Sequence, residues 1–209
     1  MDGKTSNMAI SNNNTVNLND IINTYENGYL KIYTGPMYAG KSTVVTNIYK
    51  QAVANNIKIV VLTHKSETRY SVDQLSTHNK QHIPCYKYSK ISEFIADKCD
   101  EIRLADIILI DEAQFFEDLL EVVQLVDLFK KRVYVFGLVG DFKRKKFGHI
   151  ADLLVHCDDI ENLSDKCHLC TNRSVFSSRT IKNDSQILIG SIESYQSLCR
   201  ECYNRSITV

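Results

Sequence analysis

Apolar residues in this chain fall in short blocks separated by polar stretches. Tyr29-Leu30-Lys31-Ile32-Tyr33 alternates and is rich in β-formers, which predicts a strand. Over residues 43–54, Val44, Val45, Ile48, Tyr49, Ala52 and Val53 recur at helical spacing. Residues 57–62, 107–110 and 133–138 are apolar runs of the length and composition of buried strands, with a shorter one at 86–88. Short helices are predicted at 91–98, 119–129 and 150–155. Residues 71–82 are polar and unpatterned, and read as a loop with a short helix. The alternation of strand and helix predicts a parallel α/β sheet. Residues 1–27 are rich in Asn, Ser and Thr and read as a mobile tail, with a short helix at 20–25 as the structured alternative.

The remaining composition narrows the class. A chain of 209 residues with 44% hydrophobic content can pack one good-sized core and a small appendage. The formal net charge is zero, without the basic excess of a nucleic-acid binder. No apolar run reaches membrane-spanning length, and the N-terminus lacks an apolar signal core. A cytoplasmic protein is therefore expected, and its seven cysteines read as thiols or metal ligands rather than disulfides. Asn172-Arg173-Ser174 and Asn204-Arg205-Ser206 then read as chance matches to a glycosylation triplet.

Chemistry enters at Gly35-Pro36-Met37-Tyr38-Ala39-Gly40-Lys41-Ser42-Thr43, which reads G-x-x-x-x-G-K-S between a strand and a helix. In such a P-loop the glycines let backbone N–H groups approach a polyphosphate. Lys41 reaches the outer phosphates, the Ser42 hydroxyl suits Mg²⁺, and the helix start aims its positive end at the anion. The run 107–110 ends in Asp111, a second ligand type for Mg²⁺. Glu112 comes next and is expected on the other side of the strand ladder, facing a second substrate. Glu67 and Arg69 follow a strand end, where open parallel sheets bind ligands, although a solvated charge pair is the competing reading. The basic run 142–148 is either a solvated face or part of the site. Cys167-His168-Leu169-Cys170 and Cys199-Arg200-Glu201-Cys202 are two C-x-x-C pairs suited to a tetrahedral structural Zn²⁺. His168 is an alternative ligand, two redox pairs are the competing reading, and Cys85, Cys99 and Cys157 are left as free thiols.

Together these residues resemble the type II, zinc-containing, cytosolic-type thymidine kinase family. The matching motifs are Gly35-Pro36-Met37 leading into Gly40-Lys41-Ser42-Thr43, Glu67-Thr68-Arg69-Tyr70, and Asp111-Glu112-Ala113-Gln114-Phe115-Phe116. They continue through Gly140-Asp141-Phe142, Arg144 and Phe147-Gly148 to the cysteine pairs flanking Ile189-Gly190 and Tyr195. The resemblance implies a RecA-like P-loop sheet with helices on both faces, here over residues 28–160, and a zinc-stapled lasso module over 161–209. It implies ATP- and Mg²⁺-dependent phosphorylation of thymidine, and of deoxyuridine. Glu112 resembles the base that takes the 5′-hydroxyl proton, and Arg69 the residue that assists at that hydroxyl. Asp111 and Gln114 fall with the nucleotide-binding residues, and Glu67 and Thr68 with those at the substrate. Phe115, Leu138 and Phe142 resemble the walls of the base pocket. Gln186, Ile187, Leu188, Ile189 and Gly190, with Tyr195, resemble a lasso that closes over thymine. Family members are usually homotetramers inhibited by dTTP. Departures are Glu67 where many members have Asp, Val139 where Asp is common, and Ser191 after Gly190 where a second Gly is usual. Two other functions compete on the residues. A nucleic-acid-stimulated ATPase would need a second motor domain and a basic excess, and a non-enzymatic zinc-ribbon module leaves the P-loop without a role.

Overall fold

The computed structural model describes residues 25–66, 74–76, 82–188 and 194–207. The expected N-terminal tail and the segment around Glu67, Thr68 and Arg69 lie outside them, as do Ile189 and Gly190.

The parallel sheet forms as its apolar runs require. Its strands are β1 (Tyr29–Thr34), β2 (Ile59–His64), β5 (Tyr86–Tyr88), β6 (Ile107–Asp111), β7 (Arg132–Phe136) and β8 (Asp159–Asn162). They pair in the order β5-β2-β6-β7-β1-β8, all parallel. Alternation along each strand splits the core in two. Leu30, Ile32, Ile108, Ile110, Val133 and Val135 point to one face, and Tyr29, Tyr33, Ile107, Leu109, Tyr134 and Phe136 to the other. Every β6 residue is buried, as a strand covered on both sides demands. Each fully buried side chain of this kind contributes about 1.5–3 kcal/mol of transfer free energy.

Helix α1 (Lys41–Ala54) covers the tyrosine-bearing face with Val45, Ile48 and Ala52. The opposite face is covered by α2 (Ile91–Asp97), α3 (Cys99–Leu104), α4 (Val122–Asp127) and α5 (Ile150–Leu153), through Phe94, Ile102, Val122, Leu125 and Leu153. This is the expected α/β architecture with helices on both faces. Helix α2 borrows its N-terminal cap. Asp118 accepts the N–H groups of Ile91 and Ser92 at 2.9 and 3.0 Å and the Ser92 hydroxyl at 2.7 Å.

Four sequence expectations change. Where 71–82 read as loop and helix, β3 (Gln74–Ser76) pairs antiparallel with β4 (His82–Pro84). The helix expected over 119–129 is a 3₁₀ turn at Leu119–Glu121 followed by the short α4. Helix α3 has no counterpart in the sequence reading, and neither does β8. The latter's Asp-Ile-Glu-Asn composition carries no apolar alternation, because it is an edge strand with Asp159, Ile160 and Asn162 exposed. The sheet therefore runs through residue 162.

Beyond it, β9 (Phe176–Arg179) and β10 (Tyr195–Leu198) form an antiparallel pair, closed at its base by both cysteine pairs and followed by α6 (Arg200–Ile207). Leu198, Tyr203, Cys167 and Cys199 make a separate small core.

Candidate active site

Parallel sheets put their strand carboxyl ends on one side, and loops leaving those ends converge. Here β1 delivers the P-loop, β2 delivers Ser66, β6 delivers Glu112 and β7 delivers Leu138 to one cavity of about 490 Å³.

The P-loop is built by close approach. Gly35 has φ +141°, and a Cβ there would sit 2.3 Å from the Leu163 carbonyl oxygen. Gly40 precedes α1, which begins at Lys41 with its N-terminus toward the cavity. The Lys41 ammonium donates to the Gly35 and Pro36 carbonyls at 3.0 and 2.8 Å. Met37, Tyr38, Gly40, Lys41, Ser42 and Thr43 line the cavity.

The acidic pair behaves differently from the alternation argument. Strand β6 ends at Asp111, which is only 5% exposed and accepts the Glu112 N–H at 2.9 Å. Glu112 then adopts a left-handed conformation, φ +53°, and starts a 3₁₀ turn at Ala113–Phe115. Glu112 is thus off the ladder altogether. A backbone reversal, costly for a residue with a Cβ, places it on the cavity wall.

Phe115, Leu138, Phe142 and Phe147 supply the apolar walls, with Phe115 and Phe147 packed edge to face at 5.6 Å between centroids. The basic run resolves into both competing readings. Phe142 and Phe147 at its ends line the cavity, while Lys143, Arg144, Lys145 and Lys146 between them are exposed. Asp141 folds that turn by accepting the Lys143 and Lys145 N–H groups, each at 2.8 Å. Beside the cavity, burial holds the His64 imidazole below its usual pKa, with its ring edge-on to Phe116 at 5.0 Å.

The β9–β10 unit closes the other side with Ser177, Gln186, Ile187, Leu188 and Tyr195. Hydrogen bonds from three separate positions help to dock it. The Met37 N–H donates to Ser177 Oγ at 3.0 Å, Gln186 Nε2 to Asp141 Oδ2 at 2.8 Å, and the Tyr203 hydroxyl to the Phe142 carbonyl at 2.6 Å. Arg179 shapes the segment between the strands. It donates to the carbonyls of Asn183, Ser185 and Gln186 at 2.7, 2.6 and 3.3 Å and to the Tyr195 hydroxyl at 2.6 Å. Its guanidinium lies 3.7 Å from the Phe142 ring centroid.

At the base of this unit the sulfurs of Cys167, Cys170, Cys199 and Cys202 lie within 4.8 Å of one another. Cys170 Sγ is 3.7 Å from both Cys199 Sγ and Cys202 Sγ. Four sulfurs at ~2.3 Å around a tetrahedral ion stand about 3.8 Å apart, so the set can hold a metal such as zinc. The protonation pattern is uneven. Burial opposes charge on Cys167, but N–H groups of Cys199 and Leu169 outweigh it and bring this thiol down to about 6. Cys202, facing first the Cys199 thiol, is pushed up to about 12. His168 is not one of the clustered groups; its backbone N–H donates to the Ser197 carbonyl at 2.9 Å.

A family model described as thymidine kinase matches residues 28–203, spanning both the sheet and the cysteine module. The chain belongs to the thymidine kinase family. It is 34% identical to a thymidine kinase of Mycoplasma mobile over 187 residues, covering 86% of this chain and 88% of that protein. It is 33% identical to one from Yaba monkey tumor virus, covering 84% and 94%. It is also 33% identical to one from Oryza sativa subsp. japonica, covering 84% of this chain and 66% of the rice protein. Within this thymidine kinase family member, sequence reasoning missed Ser66, Asp165, Ser177 and Arg179. Ser66, Asp165 and Ser177 are short polar residues without a motif, and Arg179 is a cation whose partners, three carbonyls, the Tyr195 hydroxyl and the Phe142 ring, come together only in the fold. The one signal in the sequence that could have found Ser177 and Arg179 is their closeness to the first cysteine pair.

Proposed function

We propose that the chain transfers the γ-phosphoryl group of ATP to the 5′-hydroxyl of thymidine, and of deoxyuridine, releasing ADP and the 5′-monophosphate for nucleoside salvage. The observation that carries this reading is a single cavity bounded by a P-loop and Glu112 on one side and by aromatic walls and the β9–β10 unit on the other.

Phosphoryl transfer needs little covalent help, so the work is positioning and charge stabilisation. The loop Gly35-Pro36-Met37-Tyr38-Ala39-Gly40-Lys41-Ser42-Thr43 wraps the phosphates and offers them backbone N–H groups other than those of Pro36, which has none, and Met37, which donates to Ser177, and Lys41 sets its charge against them. The hard oxygen donors Ser42 and Asp111 would hold Mg²⁺, which would supply charge neutralisation at the phosphates. The nucleoside O5′ attacks phosphorus, the bond to the β–γ bridging oxygen breaks, and Glu112 takes the hydroxyl proton. Arg69, Glu67 and Thr68 are assigned to the sugar and the transferring group by family resemblance. Phe115, Leu138 and Phe142 sandwich the base, and Gln186, Ile187, Leu188, Ile189 and Gly190 close over it with Tyr195. Gln186 Nε2 is already engaged by Asp141 and by the Lys146 carbonyl. That leaves the Gln186 amide nitrogen no donor role at the base, and the reading assigns thymine's acceptor–donor–acceptor edge to backbone groups, to which cytosine presents mismatches costing about 1–3 kcal/mol each.

Zn²⁺ on the four cysteines is structural, because four protein ligands leave no open position. The same reading includes dTTP as feedback inhibitor, a homotetramer, a cytoplasmic location, and no nucleic-acid or membrane partner. Among the described residues no helix is long and apolar enough to cross a membrane.

Labelled ATP offered with each of the four deoxynucleosides and deoxyuridine tests the assignment. Label in dTMP and dUMP but not in dCMP is expected. Label released as phosphate in response to DNA, independent of any nucleoside, would overturn it.

A further inference from the structure

Family resemblance groups Gln114 with the nucleotide, yet its amide is engaged elsewhere. The residue is 4% exposed. Its Oε1 accepts the Leu138 N–H at 3.1 Å, and its Nε2 donates to Glu112 Oε2 at 2.5 Å. A backbone N–H can only donate, so the amide oxygen must face Leu138. That settles the orientation of the amide from the network itself, and the NH₂ end must face Glu112.

The surroundings are shaped around this side chain. A Cβ on Gly137 would lie 2.6 Å from Gln114 Oε1 and 2.4 Å from Ile150 Cδ1. At Gly148, φ +58°, a Cβ would meet the Gln114 carbonyl oxygen at 2.2 Å. Two separate segments thus come within contact of Gln114, and both do so through a residue without a side chain. Glu112 sits on a left-handed turn, and a glutamate has three rotatable bonds. A fixed donor on one carboxylate oxygen removes much of that freedom.

We infer that Gln114 is a positioning residue, whose amide, anchored by the Leu138 N–H, holds the Glu112 carboxylate in its working orientation in the cavity. It also joins the apolar wall at Leu138 to the acid, so seating of a base against that wall and alignment of the carboxylate share one side chain. This inference rests on Glu112 being the base of the proposed reaction.

The test is Gln114→Glu, which keeps the size and the acceptor for Leu138 N–H but turns an oxygen toward Glu112. KM for thymidine and for ATP should stay within about threefold while kcat falls on the order of 10–100-fold, the scale of a misaligned catalytic group. In a Glu112→Ala background the same substitution should cost nothing further. A raised KM for ATP with kcat unchanged would return Gln114 to nucleotide binding, and losses that multiply in the double variant would mean it does not act through Glu112. A measurement that leaves Gln114 in place guards against misfolding of its variants. In ¹⁵N spectra, Glu112→Ala should shift and deprotect one slowly exchanging glutamine side-chain amide, and an unchanged spectrum would contradict the contact. If the unaltered protein leaves thymidine unphosphorylated, the function falls; if it is active and Gln114→Glu keeps full kcat, only the positioning role does.

Discussion

The acid at residue 112 shows how a single backbone angle decides a site. Strand alternation places neighbouring residues on opposite faces, and by that rule Asp111 and Glu112 separate. The observed separation comes from the left-handed turn at Glu112, which ends β6 and points the next residues into a 3₁₀ turn. The sequence made the carboxylate pair at a strand end legible, but not the reversal, because a positive φ at glutamate has no compositional mark. Gln114 was legible as part of a motif and not as an anchor, since one of its partners is a backbone N–H on another strand's exit loop. Glu112→Gln should retain thymidine binding and lose roughly 10²–10⁴-fold in turnover, read by steady-state kinetics beside calorimetric binding. Unchanged turnover would assign the base elsewhere. Lys41→Ala should cost ~3 kcal/mol or more of transition-state stabilisation, measured as kcat/KM, because the phosphates lose their charged side-chain partner.

Elements with a full apolar period were readable, and of those held by partners α2 was expected at 91–98 although its cap was not, while β8, β9 and β10 were not expected. Strands β6 and β7 announce themselves by unbroken β-formers, whereas β8 is stabilised by its register on β1 and by the Tyr29 hydroxyl bond to Asp159 at 2.8 Å. Helix α2 depends on a cap from a distant residue. Burial would raise the Asp118 pKa, but hydrogen bonds from Ser92 and Ile91 outweigh it and hold the carboxyl below its ordinary value. A depressed carboxylate gives stability that is complete above its unfolded value, about 3.9, and lost as pH falls through the folded one. Asp118→Ala should therefore cost about 1 kcal/mol at pH 7 in urea unfolding, and the difference should shrink below about pH 4. The β9–β10 unit depends on Arg179 in the same way. Arg179→Lys loses the planar fork that serves three carbonyls and the Tyr195 hydroxyl at once. A rise of tenfold or more in KM for thymidine is expected, on the order of two hydrogen bonds' net worth, with KM for ATP unchanged. Cys199→Ser should lower bound zinc below one per chain by elemental analysis and reduce the melting temperature, without a selective change in the chemical step.

At the scale of the molecule, the site exists because two structural units meet. The sheet supplies the P-loop and Glu112, and the cysteine-bearing unit supplies the far wall, joined to the sheet unit through Ser177, Gln186 and Tyr203 among others. The motifs of both units were readable in sequence, and so was their order. Their juxtaposition was implied by the family resemblance alone and not by composition or spacing, because the docking bonds use common polar residues and main-chain groups. The proposed reaction has this shared cavity move a phosphoryl group to one particular hydroxyl of thymidine. Phosphorus-31 NMR of the purified protein with thymidine, ATP and Mg²⁺ reads this directly. Growth of the thymidine 5′-monophosphate resonance in equal amount with ADP is the predicted result. A resonance of inorganic phosphate matching ADP, with no nucleoside monophosphate formed, would contradict the account.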